Sequence, residues 1–340
     1  MKKKLALTLT IIFSLMMIAT GMMGCTGKSK RVKGTEENPF ILGVSPMAGW
    51  YAWYGVQDMG IFEDNGVCVK IEFFPVYSDS LTAFYSGRVD GICIAGSDTI
   101  APYNEGVDLK TVLVTDTSYG ADGLVVKEGI DSVADLKGKT VATEVGTLEH
   151  MFLLKTLEKH GMTIDDIEFV NMTINDAGPA FIAGSVDAAV LWEPTLSMAI
   201  NDGGGKLLYS SRETPGLIPD TFAVSQRVMD SSGEYVQKIV DSWFDGTKYL
   251  NSRDDEFIEH IAEDAELSKE EYLNMLDGVT IYDREMNQEI FTDGDNYDHL
   301  IYTLNDTAQF LLDVEMIDRM PDDLRNVLDD RYVKGDEQND

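Results

Sequence analysis

Short apolar runs alternate with amphipathic stretches between residues 40 and 191, and this alternation is typical of an α/β fold. Apolar residues at helical spacing predict helices at 50–59, 81–85, 148–160 and 177–183. The apolar runs predict strands at 40–44, 69–74, 91–95, 111–115, 124–126, 140–143, 167–171 and 188–191. We therefore expect doubly wound, mainly parallel sheets.

An internal repeat divides this part of the chain. Residues 79–94 match residues 176–191 at a constant offset, with identical Asp, Ala, Phe, Gly, Val and Asp positions. Each copy predicts a short helix with a buried Phe, a Gly with positive φ, and a turn Asp before a buried strand. The repeat predicts two similar lobes, with a solute-binding cleft at the carboxyl ends of their strands.

The chain beyond residue 231 has a different pattern. Long acidic segments at 235–249, 254–263, 269–276 and 297–312 predict helices that pack outside the lobes. The expected organisation is lobe 1 at 39–117, lobe 2 at 118–220, a return to lobe 1 with acidic C-terminal helices at 221–330, and a disordered tail at 331–340. Segments near 116–123 and 215–224 should cross between the lobes as hinges.

The N-terminus has the pattern of an export signal. Three Lys residues precede an uncharged stretch at 5–24, and Met22-Met23-Gly24-Cys25 resembles the bacterial lipobox. We interpret residues 1–24 as a lipoprotein signal peptide, Cys25 as the lipidation site and residues 25–38 as a flexible tether. An uncleaved anchor helix is the alternative. Both interpretations predict an extracytoplasmic protein, held at the cell membrane by its lipid or located in the periplasm.

Charge and cysteine content exclude several classes. The chain has 27 Lys and Arg against 59 Asp and Glu, a formal net charge of -32, which disfavours nucleic-acid partners. Its four His residues form no metal-binding pattern, so no metal or cofactor is predicted. Cys68 and Cys93 lie in apolar runs and are interpreted as buried thiols, with a disulfide between them as the alternative.

Three segments together resemble a known family. Residues 49–66, 132–141 and 180–194 are similar to the nitrate, sulfonate and taurine type of solute-binding proteins of ABC importers. The resemblance covers about residues 40–250. It implies the periplasmic-binding-protein type II fold, capture of a small solute outside the membrane, and delivery to an ABC permease and its ATPase. We expect a monomer.

Candidate solute-binding residues lie in loops that follow the predicted strands. Aromatic faces and carboxylates are the groups that bind amines and other organic cations. In the family's motif, the loop that begins at Trp192 borders the cleft. The candidates are Trp50, Tyr77, Ser97, Asp98, Tyr119, Asp122, Glu144, Thr147, Trp192 and Glu193.

The charge of these loops predicts the charge of the solute. They contain no Lys or Arg, and only His150 could become cationic. We therefore expect a cationic, zwitterionic or multi-donor nitrogen compound, such as an amine, a guanidine or an aminopyrimidine. The alternative is that Glu144 and Glu193 are scaffold carboxylates and that the solute is an anionic sulfonate, taurine or nitrate. The backbone N–H groups of residues 143–147 would then hold the anion.

The sequence contains no nucleophile paired with a base and no cofactor-binding loop, so we do not predict an enzyme. Two other classes stay open on the same fold. One is an enzyme that acts on a pyrimidine precursor, and the other is a sensor lipoprotein without a transport role.

Overall fold

The computed structural model describes residues 32–334, which form two β-sheets and their flanking helices. Both sheets belong to one compact unit of the chain. The predicted signal peptide, the lipidation site at Cys25 and the first part of the tether lie outside the described residues. No helix within residues 32–334 has the length and hydropathy needed to cross a membrane.

The first sheet has six strands in the order β11-β4-β10-β3-β1-β2. Strand β1 pairs in parallel with β2 and β3, whereas β10 pairs antiparallel with both β3 and β4, and β11 antiparallel with β4. The strands are β1 (Phe40–Val44), β2 (Val69–Phe73), β3 (Gly91–Ala95), β4 (Leu109–Ser118), β10 (Pro219–Ser225) and β11 (Val279–Ile281).

The second sheet has five strands in the order β7-β6-β8-β5-β9. Strand β6 is parallel to β7 and β8, and β5 is antiparallel to β8 and β9. The chain enters this sheet after Ser118 and returns to the first sheet at Pro219. The strands are β5 (Asp122–Val126), β6 (Thr140–Thr143), β7 (Glu168–Asn171), β8 (Ala188–Trp192) and β9 (Lys206–Ser210).

These two sheets confirm the predicted two-lobed α/β fold, with one difference. Each sheet is mixed rather than mainly parallel in its pairing, because the returning strand β10 inserts between β3 and β4, and β5 inserts between β8 and β9. Strands β9, β10 and β11 were not predicted. Each of these segments contains a polar residue: Lys206 begins β9, Asp220 lies in β10 and Thr280 lies in β11. The remaining apolar pattern is too weak to identify a strand.

Helices cover the sheets, and the C-terminal ones pack on lobe 1. Trp243 lies 4.8 Å from Trp53 between ring centroids, and Phe257 lies directly against Gly55, where a Cβ would come within 2.7 Å of its ring. The helices are α1 (Ala52–Asp58), α2 (Ile61–Asp64), α3 (Tyr77–Tyr85), α4 (Ile100–Asn104), α5 (Leu148–Lys159), α6 (Ile174–Ile182), α7 (Thr195–Asn201), α8 (Gln226–Ser252), α9 (Asp255–Asp264), α10 (Lys269–Leu276), α11 (Arg284–Ile290) and α12 (Leu300–Asp313).

Four local expectations need correction. Residues 33–38, expected in the flexible tether, are held to the body: the Lys33 N–H donates to Ser232, and Lys33 pairs with Asp90 at 3.0 Å. The start of the expected disordered tail is also packed, because Val333 is fully buried. Tyr77, expected in a loop, is the first residue of α3. Cys68 and Cys93 are both free thiols; Cys93 is buried as expected, whereas Cys68 is only half-buried.

The internal repeat is the same structure in each lobe. In both copies a helix leads to a buried strand, through Gly87 at φ 74° in one and Gly184 at φ 73° in the other. The turn carboxylates have matching partners. Asp90 accepts from the Ile41 N–H at 2.9 Å, and Asp187 accepts from the Thr140 N–H at 2.9 Å. The repeated Asp therefore joins each strand to its parallel neighbour.

Replacing one of these carboxylates should weaken its lobe. We expect Asp187→Ala to lower the free energy of unfolding by about 1–2 kcal/mol, because the Thr140 N–H loses its acceptor. The Thr140 hydrogen bond lowers the pKa of Asp187. The contribution is therefore present above the ordinary carboxyl range near pH 4 and is lost as the pH falls below it. Urea unfolding at pH 7 and pH 3 checks this, and an equal loss at both values would contradict it.

Candidate functional site

The candidate site lies where the carboxyl ends of the parallel strands of the two sheets meet. In the first sheet, β10 is antiparallel, so its first residues lie beside the last residues of β3 and β4. In the second sheet, the start of β5 lies beside the end of β8, where Asp122 pairs in register with Trp192. Side chains at these strand ends come from both lobes.

Three predicted aromatic residues form one contact group across the lobes. Trp50 and Tyr77, from lobe 1, have ring centroids 5.5 Å apart, and Tyr77 meets Trp192, from lobe 2, edge-on at 5.6 Å. All three are at least 95% buried. The Trp50 indole N–H is buried without a hydrogen-bond partner, so it is available to a bound molecule.

Asp98 joins this aromatic group to the backbone. The Tyr77 hydroxyl donates to Asp98 Oδ2 at 2.9 Å and accepts from the Ala95 N–H at 3.1 Å. Ser97 Oγ donates to Asp98 Oδ1 at 3.1 Å. Burial raises the pKa of Asp98 to about 7, although both hydrogen bonds favour the charged carboxylate. Asp98 therefore changes charge near neutral pH.

Two further carboxyls, Asp116 and Asp220, are paired across the first sheet. Asp116 near the end of β4 is in register with Asp220 at the start of β10, and both are fully buried. Like charges directly opposite on neighbouring strands repel. Burial raises the pKa of Asp116 to about 7, and burial together with the charge of Asp116 raises the pKa of Asp220 well above its ordinary value.

A second carboxyl pair comes from lobe 2. Asp122 begins β5, and Glu149 lies in the first turn of α5; both are fully buried. Burial raises the pKa of Asp122, and burial and the charge of Asp122 raise the pKa of Glu149. We call Asp116, Asp122, Glu149 and Asp220 the carboxyl cluster.

The carboxyl cluster has no donors of its own among the residues that the structure describes. Both oxygens of each of its four side chains are buried without a donor. A proton shared between two carboxyls gives one pair a hydrogen bond. Without a ligand, protonation is therefore the way in which the cluster can satisfy its buried oxygens. A buried Ser45 hydroxyl, just beyond β1, also has no partner. Unpartnered buried polar groups on several elements are typical of a site that a ligand completes.

Within residues 32–334, no basic side chain neutralises the carboxyl cluster. The ion pairs formed within residues 32–334 include none of its members. Burial lowers the pKa of His150, and its Nδ1 accepts from the Gly146 N–H at 3.4 Å, which requires the neutral ring. The site therefore presents carboxyls and aromatic faces without a compensating cation.

The other predicted residues have partners outside the carboxyl cluster. Tyr119 is 43% exposed, with the Arg212 guanidinium stacked over its ring at 4.8 Å. Thr147 Oγ1 donates to the Glu144 carbonyl in a half-exposed loop. Both carboxylate oxygens of Glu193 accept from Ser197, at 2.8 and 3.1 Å, so this side chain ties down the start of α7.

Three of the four cluster residues, Asp116, Glu149 and Asp220, were not among the site residues predicted from the sequence. A signal did exist, because Asp116 and Asp220 interrupt otherwise apolar or Thr-rich strand segments, 112–117 and 219–224. A charged residue in such a run needs a partner or a function.

The cluster does not have the geometry of a metal site. No group of three or more His, Cys, Asp or Glu within residues 32–334 converges closely enough to hold a metal ion. Spread over both lobes, the carboxyls can instead receive several N–H donors from one organic molecule, with the indole and phenol rings contacting its apolar or delocalised parts.

Comparison with known sequences identifies a family. The family model described as NMT1/THI5 like matches residues 50–256, more than half of the chain. A Bacillus subtilis (strain 168) protein, provisionally named aliphatic sulfonates-binding protein, is 25% identical over 340 residues, which span 98% of this chain and 96% of that protein.

Solved structures of the same fold include binding proteins and an enzyme. The periplasmic aliphatic sulphonate binding protein SsuA from Escherichia coli has a TM-score of 0.70 and 22% identity, over 84% of this chain and 90% of that chain. The desulfurization enzyme DSZB has a TM-score of 0.64 and 14% identity, over 89% of this chain and 98% of that chain. These likenesses establish the fold and leave the function to the site.

Proposed function

Because the chain belongs to the NMT1/THI5-like family, we propose that it is the extracytoplasmic solute-binding lipoprotein of an ABC importer. The two-lobed fold and the name of the Bacillus relative support this role. The protein would be anchored through Cys25, bind as a monomer and pass its solute to a permease driven by an ATPase. The solute would leave chemically unchanged.

The solute we propose is a small organic cation, such as an amine, a guanidine or an aminopyrimidine. The observation that carries this proposal is the carboxyl cluster, whose four side chains are fully buried and lack both donors and counter-ions among the described residues. N–H donors on a cation would replace the shared protons. Charge-assisted hydrogen bonds of this kind are roughly twice as strong as neutral ones.

Lobe closure explains how the site would assemble around a solute. Tyr77 and Trp192 belong to different lobes and touch, so the described arrangement is closed. Asn175 of lobe 2 also donates to the Pro75 carbonyl of lobe 1 at 3.0 Å. Separation of the lobes would expose the carboxyls to water, and closure on a cation would exclude that water and strengthen each polar contact.

The second candidate is an anionic sulfonate, and the names of the relatives favour it. A sulfonate at the same position would face carboxyls without a basic side chain to offset them. It would bind only if the carboxyls were protonated, or if it occupied the loop at residues 144–147 instead, where the N–H groups of Val145 and Gly146 already donate to Asn171 and His150. The two candidates therefore differ in charge and in position.

A matched pair of ligands separates these candidates. Propylammonium and propanesulfonate share a carbon skeleton and differ in charge, and calorimetry at pH 8 compares them above the pKa of about 7 of Asp98 and Asp116. We expect binding of propylammonium alone, with a rise in the free energy of unfolding of about 2.7 kcal/mol at a hundredfold excess over its Kd. Binding of propanesulfonate alone would overturn the cationic solute and leave the solute-binding role intact.

A chemical assay separates binding from catalysis. If the protein is an enzyme on the same fold, a bound amine or pyrimidine compound will be converted during prolonged incubation. We expect mass spectrometry to recover the solute unaltered.

An uptake measurement separates transport from a sensor role. Deletion of the chain should abolish import of the solute into cells, whereas loss of a response with normal import would indicate a sensor.

A further inference from the structure

We propose that an apolar cavity bordered by Asp98 binds a hydrocarbon part of the solute, so that the solute is an alkyl- or aryl-substituted cation. This inference rests on the proposed function, because the cavity would hold part of the same molecule. The cavity has a volume of about 410 Å³. Small-molecule sites in proteins have volumes of roughly 300–1,000 Å³.

The cavity is formed by both lobes and by the C-terminal extension. Leu81 and Tyr85 of α3 line it from lobe 1, Met151 of α5 from lobe 2, and Leu311 of α12 and Ile317 from the extension. Because both lobes contribute to its wall, the cavity exists only when the lobes are closed. The cavity therefore forms at the same time as the solute site.

Burial and neighbouring carboxylates, Asp98 among them, raise the pKa of Glu149 and of Asp220, so Asp98 connects the cavity to the carboxyl cluster. Ser97, Asp98 and Thr147 are among its polar lining residues. The Asp98 carboxyl accepts from the Tyr77 hydroxyl, and Tyr77 contacts Trp50 and Trp192 of the aromatic group. An ammonium or guanidinium group bound at this carboxyl would place an attached chain against Leu81 and Met151. A fully polar solute would leave this apolar wall without a matching surface.

The size of the hydrocarbon should then control affinity. Burial of one methylene group is worth about 0.8 kcal/mol, which is a fourfold change in Kd. Calorimetry at pH 8 with ethylammonium, butylammonium and hexylammonium should show an increase of about fourfold per methylene until the cavity is filled. Equal affinity for all three ions would overturn this inference alone. Absence of binding for every ion would overturn both this inference and the cationic solute.

A variant of the cavity wall locates the effect. Leu81 is half-buried on α3, so Leu81→Gln can be tolerated by the fold. We expect this variant to bind hexylammonium several-fold more weakly and ethylammonium with unchanged affinity. The matched control is Leu207→Gln, at a 42% exposed position on β9 outside the cavity lining. Equal effects of the two variants on hexylammonium would contradict the placement of the chain in this cavity.

Discussion

Asp116→Asn should stabilise the empty protein and strongly weaken its binding of cations. The amide introduced at position 116 can donate to the Asp220 carboxylate, which supplies the hydrogen bond that the buried pair lacks. We expect the free energy of unfolding at pH 8 to rise by about 1–3 kcal/mol, the cost of an unsatisfied buried group. Cation affinity should fall at least about 30-fold, because one partner of a buried charged contact is lost.

The control for this variant removes the same charge elsewhere. Asp108 lies in an exposed loop, so Asp108→Asn changes net charge without touching the carboxyl cluster. It should leave both the unfolding free energy and cation binding nearly unchanged. Urea unfolding and calorimetry measure both quantities. Loss of stability in Asp116→Asn, with normal cation binding, would show that Asp116 is a structural residue satisfied in some other way.

The empty protein should also lose stability as the pH rises from about 4 to about 7. Burial raises the pKa of Asp98 and of Asp116 to about 7, against an ordinary value of 3.8. In this interval the folded protein holds protons that the unfolded chain has released. For these two groups, stability therefore falls with rising pH, by about 1.4 kcal/mol per pH unit for each proton, up to about pH 7.

A bound cation should reverse this dependence. It takes the place of the shared protons, so its affinity should increase as the pH rises through about 7, and its binding should release protons to the buffer. Thermal unfolding from pH 4 to 9, with and without propylammonium, tests both pH dependences, that of the empty protein's stability and that of cation binding. Asp116→Asn should show a shallower slope than the parent protein. A slope that persists unchanged in this variant would indicate general repulsion among the 59 acidic residues instead.

Local patterns in the sequence were sufficient for the fold class and for the aromatic part of the site. Each copy of the repeat contains its own helix, positive-φ glycine and turn Asp, so the architecture of a lobe follows from neighbouring residues. Trp50, Tyr77 and Trp192 follow or end strands, and the strand-end rule for open α/β sheets places such residues in the cleft. The absence of Lys and Arg from the predicted loops is likewise a property of sequence alone.

The tertiary structure decided which carboxyls face one another. Asp116 and Asp220 are 104 positions apart in the chain and become neighbours only because the returning strand β10 inserts beside β4. Asp122 and Glu149 meet because α5 packs against β8, the strand that pairs with β5. The tertiary structure also placed Tyr119 at the surface, and it hydrogen-bonded Glu193 to Ser197 of α7. Local pattern specifies which residues begin and end each element, whereas contacts between distant elements depend on register and packing that no short stretch encodes.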